Sequence, residues 1–158
     1  MSARDEESER REFHKVLFLK LLGHLGMKEF DAFEDCLASD FVQEWPYSPL
    51  PSLPQRVSGA REVRNLIEAG MSDFDPFRYE VHSVYELLDP DMLIAEYSSH
   101  SHYRRRDVPY SNRYLSILSF RGERLAHWRE YVNPLVIREA LLDDFNRTIA
   151  DRTGLSGQ

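Results

Sequence analysis

The chain has 158 residues, of which 42% are hydrophobic, and it carries a formal net charge of −7. This size supports one hydrophobic core and is too short for two domains. The acidic balance argues against a protein that tracks nucleic-acid phosphates, because such a protein needs a basic face. A lone cysteine, Cys36, excludes a disulfide framework and a thiolate metal cluster.

The chain contains neither of the two segment types, a membrane span or a signal peptide, that would predict a location outside the cytoplasm. No apolar stretch approaches the ~20 residues of a membrane span. The charged amino terminus, residues 1–11, is unlike a signal peptide. We therefore expect a cytoplasmic protein without a membrane or nucleic-acid partner. It should form a single domain over residues 1–158, with a core at about 13–142 and flexible ends at 1–7 and 146–158.

Helical spacing of apolar residues marks the first part of the chain. It predicts helices over Ser8–Leu25, Lys28–Leu37 and Gly59–Ala69. Between the second and third helices lies a short predicted strand, Phe41–Trp45. The following segment, Pro46–Pro54, contains four prolines and is predicted to be an ordered loop.

Alternation of apolar and polar residues marks the rest of the chain up to Asn133. A strand over Phe77–Glu86 has the half-buried pattern of a strand at or near a sheet edge. Three further strands follow from Asp91, and helical spacing returns over Pro134–Phe145. Residues 144–158 are predicted to form a frayed or partner-dependent tail. Helices first and an antiparallel meander after them predict an α+β domain with the helices on one sheet face.

The last three strands are predicted to bring polar side chains together on one sheet face. Side chains of a strand alternate between faces. A turn within Arg105–Pro109 would place His100 opposite Tyr114, and the next turn would place Tyr114 opposite Glu130. A carboxylate, a phenol and an imidazole beside apolar walls are what a small acid/base pocket needs. The residues predicted for this face are Glu96, His100, His102, Asn112, Tyr114, Ser116, Trp128 and Glu130.

The order of these elements resembles the nuclear transport factor 2 superfamily. Within it, the chain is most similar to the SnoaL-like polyketide-cyclase branch and the phenazine-biosynthesis PhzA/PhzB branch. The segments that carry the resemblance are Glu44–Tyr47, Gly59–Val63, Ala95–Glu96 with His100, Tyr110–Tyr114 and Trp128–Pro134. The resemblance implies a cone-shaped, strongly curved, mostly antiparallel sheet wrapped around the amino-terminal helices, as in cystatin-like folds. It leaves the reaction open, because this fold hosts isomerases, cyclases, epoxide hydrolases and proteins without activity.

The resemblance also implies a role for Glu130. In the phenazine-type proteins a glutamate in an Arg-Glu-aromatic context of the last strand acts as acid or base toward the ligand, and Glu130 occupies that place. Their helix-three histidine has no match here, because the equivalent stretch is Val63–Leu66. The base aspartate of the steroid-isomerase branch is likewise replaced, by Trp45–Pro46, and its oxyanion-hole aspartate would fall near Ser116.

Glu130 is our principal catalytic candidate, since a carboxyl in an apolar cone loses hydration and its pKa rises. The alternative is a carboxylate that is bonded to a neighbouring tyrosine or arginine for structural reasons. His100 is either the complementary acid or base or a structural histidine, and Tyr114 either donates to a substrate oxygen or holds Glu130 in place. The predicted substrate-binding residues are Trp45, Tyr47, Glu96, Asn112, Ser116 and Trp128.

Trp45, Tyr47 and the proline loop are expected at the mouth of the cavity, or packed over the core. His100 and His102 could share a metal ion with Glu96 or Glu130, but no third histidine shares their predicted face. We therefore expect no metal and no cofactor. The opposite sheet face, with its mixture of aromatic, aliphatic and arginine side chains, is expected to form a homodimer. The residues assigned to that face are Tyr97, Ser99, Tyr103, Arg113, Leu115, Ile117, Arg129 and Tyr131.

Two functions are compatible with this pattern. The first is a cofactor-independent enzyme that isomerises, cyclises, hydrates or hydrolyses a carbonyl-bearing or polycyclic small hydrophobic ligand. The second is a ligand-binding or assembly module without turnover.

Overall fold

A computed structural model describes residues 2–154 of the chain, apart from the side chains of residues 142, 143, 145 and 146. Helices and strands are α1 (Ala3–Gly26), α2 (Phe30–Asp35), β1 (Leu37–Glu44), β2 (Arg56–Ser58), α3 (Ala60–Gly70), β3 (Arg78–Glu86), β4 (Met92–Tyr103), β5 (Val108–Arg121), β6 (Arg124–Val132), α4 (Pro134–Ala140) and α5 (Leu142–Thr153). Over the described residues, no helix combines the length and the apolar character needed to cross a membrane.

The strands form one six-stranded sheet in the order β2-β1-β6-β5-β4-β3. Only the β1–β6 pair among these is parallel. The sheet is curved and does not close, and β3 lies at its edge, as predicted. The predicted α+β fold with amino-terminal helices and a mostly antiparallel sheet is confirmed. The short strand β2, which follows the proline loop, was not predicted.

The helices cover one face of the sheet and form the core with it. In α1 the buried stripe includes Leu17, Phe18 and Leu21. The Phe18 ring meets the rings of Tyr97 and Trp128 edge-on, with centroids 5.6 and 6.0 Å away. Each such fully buried side chain contributes roughly 1.5–3 kcal/mol. This stripe joins the amino-terminal helix to β4 and β6, the two strands on either side of β5 that carry residues of the site described below.

The β4–β5 hairpin has a register that differs from the predicted one. His100 pairs with Ser111 rather than with Tyr114, a shift of three residues, and Tyr97 pairs with Tyr114. The turn occupies residues 104–107 and ends with Asp107 at a positive φ of 51°. An odd shift exchanges the two faces of a strand relative to its neighbour. The predicted pairing of β4 is therefore wrong, and the odd-numbered residues of this segment of β4 face the helices.

The β5–β6 hairpin keeps the predicted faces. Its turn contains Gly122, whose φ of +59° favours glycine because that residue lacks a Cβ. Glu130 pairs with Ser116 rather than with Tyr114, a shift of two residues. An even shift leaves each side chain on its own face, so the sequence assigned Glu130 and Trp128 to the correct side of the sheet.

Helical structure extends further than predicted at both ends of the described chain. Helix α1 begins at Ala3 with a capping box between Ser2 and Asp5. Helix α5 continues to Thr153, where a frayed tail was predicted, and it buries Ile149 to 1% exposure. The Thr148 hydroxyl donates to an Asp73 carboxylate oxygen 3.0 Å away. These contacts exceed what local sequence signals at a chain end reveal; residues 155–158 of the predicted tail lie outside the described residues.

Candidate active site

A cavity of about 160 Å³ lies between the helix-covered face of the sheet, α3, the proline loop and the α4–α5 segment. Its walls are mainly apolar and aromatic. The lining residues of the sheet and proline loop are Gln43, Trp45, Ser48, Leu50, Leu53, Tyr79, Tyr110, Tyr114, Trp128, Glu130 and Val132. The helices and their flanking segments contribute Leu25, Leu66, Ile67, Gly70, Met71, Phe74, Phe77, Ile137, Leu141 and Ile149.

Glu130 is the carboxyl group of this cavity. Both of its oxygens are held: Trp45 Nε1 donates to Oε1 at 3.2 Å, and the Tyr97 hydroxyl donates to Oε2. Burial raises the pKa of Glu130, because the charged form loses its hydration, while the two donors act in the opposite direction. The net effect is an upward pKa shift, so burial outweighs the donors. Glu130 is thereby brought closer to the range in which a carboxylate exchanges protons at neutral pH.

A directed chain of hydrogen bonds supports Glu130. The Trp128 indole can only donate, and its Nε1 donates to Ser116 Oγ at 2.7 Å. Ser116 Oγ and the Tyr97 hydroxyl oxygen are 2.7 Å apart. Because Tyr97 uses its proton on Glu130, Ser116 must donate to Tyr97. The chain therefore points every proton toward the carboxylate and favours its ionised, base form.

Further phenols line the cavity beside this chain. Ser99 Oγ lies 2.7 Å from the Tyr114 hydroxyl oxygen, and Asn112 Nδ2 donates to the Tyr110 hydroxyl at 3.0 Å. Burial raises the pKa of Tyr110 to about 12 and that of Tyr114 well above its usual value. Both phenols therefore keep their protons at neutral pH and remain hydrogen-bond donors.

The predicted site residues separate into three groups. Glu130, Tyr114, Trp45 and Trp128 line the cavity. Asn112 and Ser116 are buried to 2% and 0% exposure, where they bond Tyr110 and Tyr97 rather than the cavity. The remaining three, Glu96, His100 and Tyr47, lie outside it.

The positions predicted for Glu96 and His100 are corrected by the structure, whereas that of Tyr47 at the mouth of the cavity stays a prediction. Glu96 accepts a hydrogen bond from the Tyr85 hydroxyl at 2.8 Å on the outer sheet face. His100 Nδ1 lies 3.2 Å from Ser111 Oγ on the same face. Both errors follow from the odd register shift of β4. Tyr47 is 64% exposed, so it does not form the wall of the cavity.

The structure also adds residues that the sequence analysis did not assign to the site. Tyr97, predicted on the outer face, bonds Glu130 directly. Gln43 lies between Phe41 and Trp45 on the inner face of the β1 segment, and a polar residue flanked at two-residue spacing by aromatic ones was a signal for it. Tyr79 and Tyr110 line the cavity as well. Among the side chains that the structure describes, no three His, Cys, Asp or Glu residues are grouped so that they could hold a metal ion.

Comparison with protein families identifies the class to which this chain belongs. The family model of the SnoaL-like domain matches residues 20–128, so the chain belongs to the SnoaL-like domain family, within the nuclear transport factor 2-like superfamily. The predicted resemblance is confirmed.

Individual relatives support this membership. The uncharacterized protein YesE of Bacillus subtilis is 27% identical over 129 residues, which cover 82% of this chain and 87% of YesE. A proposed isomerase from Bacillus subtilis has a similar structure, with a TM-score of 0.77 and 25% identity over 83% of this chain and 94% of its own. The phenazine biosynthesis-related protein PhzB2 of Pseudomonas aeruginosa shares the fold, with a TM-score of 0.70 and 14% identity over 88% of this chain and 91% of its own.

Proposed function

We propose that this protein is a cofactor-independent enzyme that moves a proton on a compact, carbonyl-bearing ligand. The observation that carries this proposal is the cavity carboxyl of Glu130, whose pKa is raised by burial. A base is most effective when its pKa lies near the working pH. The isomerase proposal made for the Bacillus subtilis neighbour fits the same chemistry.

The size of the cavity restricts the ligand. An engineered apolar cavity of about 150 Å³ binds benzene, and the cavity beside Glu130 measures about 160 Å³. Of the two ligand classes predicted from the sequence, the compact carbonyl compounds therefore fit better than the polycyclic ones. A single ring with a carbonyl substituent is the size we propose.

The proposed chemistry starts with the Glu130 carboxylate removing a proton from the carbon next to the carbonyl group. Negative charge then develops on the carbonyl oxygen, where a hydrogen-bond donor stabilises it. Tyr114 is our candidate donor: Ser99 can donate to its oxygen, and its own proton, which is directed to the neighbouring Tyr110 hydroxyl, can turn to the ligand. Glu130, now protonated, returns the proton to another carbon and completes an isomerisation.

Deuterium exchange provides a test that does not require the natural substrate. Cyclohexanone and a β,γ-unsaturated cyclohexenone are incubated with the protein in deuterated water, and NMR follows exchange next to the carbonyl. We expect acceleration by the wild type and a loss of at least ~100-fold in Glu130→Gln, the scale typical of general-base catalysis. Glu96→Gln, the same change on the outer face, should retain the rate, and full exchange by Glu130→Gln would remove Glu130 from the mechanism.

A binding module without turnover is the second candidate. One observation favours it. Among the described residues that line the cavity, Glu130 is the single carboxyl group, and none is a histidine that could act as a second acid or base. Ring ketones that bind the wild type without any exchange would support this candidate.

We further propose that the outer sheet face packs against a second copy of the chain. On that face Leu115 is 39% exposed, and Ile94 and Ile117 beside it pair with each other across β4 and β5. Light scattering at micromolar concentration should give the mass of a dimer, and Leu115→Lys should reduce it to that of a monomer. Leu88→Lys is the matched control, since Leu88 is 100% exposed; a monomeric wild type would refute the proposal.

A further inference from the structure

Gln43 is a buried polar group of the cavity that the catalytic scheme leaves unused. It lines the cavity, and the whole residue is only 1% exposed. Among the described residues, no hydrogen-bond donor reaches its side-chain oxygen Oε1. A buried acceptor without a partner costs free energy, and such groups are rare in folded proteins.

The place of Gln43 in the sheet brings it close to the catalytic candidate. β1 and β6 run parallel, and Gln43 pairs with Trp128. Glu130 lies two residues beyond Trp128 on the same face, and Trp45 lies two residues beyond Gln43. Gln43 and Glu130 are therefore diagonal neighbours on two adjacent strands, with Cα atoms on the order of 8 Å apart. This separation matches the width of a single-ring ligand, which would reach the Gln43 oxygen after a small side-chain rotation.

The chemistry of the two groups is complementary. An amide oxygen only accepts hydrogen bonds, so a ligand must bring the donor. The walls around it are mainly apolar and aromatic and select against a ligand that is polar throughout. The unsatisfied acceptor thus requires a hydroxyl or an N–H group at one defined position.

We propose that Gln43 is the specificity-determining residue of this cavity, and that its side-chain oxygen selects a single-ring ligand that carries a hydroxyl or N–H donor. The inference rests on the proposed function only in placing the ligand in the same cavity. It narrows the substrate class from compact carbonyl compounds to hydroxylated or amino-substituted ones.

A pair of probes tests this selection by binding alone. Resorcinol and m-cresol are rings of nearly the same size. Both carry one hydroxyl that can bond the Glu130 carboxylate, and only resorcinol carries a second one, in place of the methyl group of m-cresol, that can donate to Gln43. Calorimetry gives the ratio of their dissociation constants for the wild type and for Gln43→Met, which keeps the length of the side chain and loses the acceptor. We expect the preference for resorcinol to fall by about tenfold in Gln43→Met, the value of one well-made hydrogen bond.

The control is Gln55→Met, because Gln55 is exposed and should leave the ratio unchanged. Removal of an unsatisfied acceptor should not lower the melting temperature of Gln43→Met, and Gln43→Leu repeats the test if that variant does not fold. The proposal is overturned if the ratio changes by less than about twofold, if neither probe binds the wild type, or if both variants fail to fold.

The two proposals fail in different ways. Glu130→Gln should abolish ketone exchange and still show the Gln43-dependent preference for resorcinol. Absence of exchange in the wild type together with this preference would refute the enzyme and leave the Gln43 selection standing. Exchange by the wild type without a change of preference in Gln43→Met would support the enzyme and refute the Gln43 selection.

Discussion

Two glutamates on adjacent strands show how the two sheet faces give one residue type opposite properties. Glu44 of β1 lies on the outer face, where Arg129 Nε and His127 Nε2 are each 2.8 Å from its Oε2. These bonds, chiefly that from Arg129, hold the pKa of Glu44 at about 2. Glu130 of β6 faces the cavity, and burial raises its pKa. A carboxylate surrounded by cations is a poor base, whereas a desolvated one with neutral donors is a capable base.

A second pair makes the same contrast with matched partners. Tyr85 donates to Glu96 on the outer face at 2.8 Å, and Tyr97 donates to Glu130 on the inner face. Tyr85 is 48% exposed and Tyr97 only 1%. The tyrosine–glutamate contact is therefore not what distinguishes the candidate site. Burial and the hydrogen-bond chain behind Tyr97 distinguish it.

The largest expected effect is on the pH dependence of ketone exchange. Glu130 must be ionised to act as a base, so the rate should fall about tenfold for each pH unit below its pKa. Because burial raises that pKa, the acid limb should lie above about pH 4.5, the value of a free glutamate. NMR exchange rates across the range measure the limb, and a limb at or below that value would contradict the assignment.

Removal of the Tyr97 hydroxyl should lower the rate of ketone exchange on the acid limb by about tenfold. The Tyr97 donor lowers the pKa of Glu130, so Tyr97→Phe should raise that pKa further and move the acid limb upward by about one pH unit. The matched control is Tyr85→Phe, which removes the equivalent hydroxyl beside Glu96. Equal profiles for both variants would show that Tyr97 does not tune Glu130.

The smallest effects concern stability, and their signs should be opposite. The pKa of Glu44 is lower in the folded protein, so its ion pairs stabilise the fold above about pH 4.5 and are lost as the pH falls toward about 2. Glu44→Gln should lower the free energy of unfolding by about 1 kcal/mol at neutral pH, a value limited by solvent screening. The variant should also lose less stability than the wild type as the pH falls from about 4.5 to about 2.

Glu130→Gln should act in the other direction. The pKa of Glu130 is higher in the folded protein, so the unfolded chain ionises first and stability falls as the pH rises above the unfolded value. The substitution should remove this loss and slightly raise the free energy of unfolding at neutral pH. Urea unfolding at several pH values measures the change in the free energy of unfolding for both variants. A change of the same sign in both would contradict the opposite pKa shifts of Glu44 and Glu130.

Local sequence patterns were enough to predict most of the helices and strands, though not β2 or the full length of α5. They also predicted the edge position of β3, the faces of β5 and β6, and the presence of Glu130 on the helix-covered side. Local periodicity and the glycine turn carry that information. The contact of Tyr97, rather than His100, with Glu130 could not be predicted in this way, because the register of the β4–β5 hairpin depends on a turn whose length no periodicity specifies. An odd shift of that register exchanges the faces. The tertiary structure also decided that α5 closes the cavity and that Gln43 lacks a partner, since both depend on contacts between residues far apart in the chain.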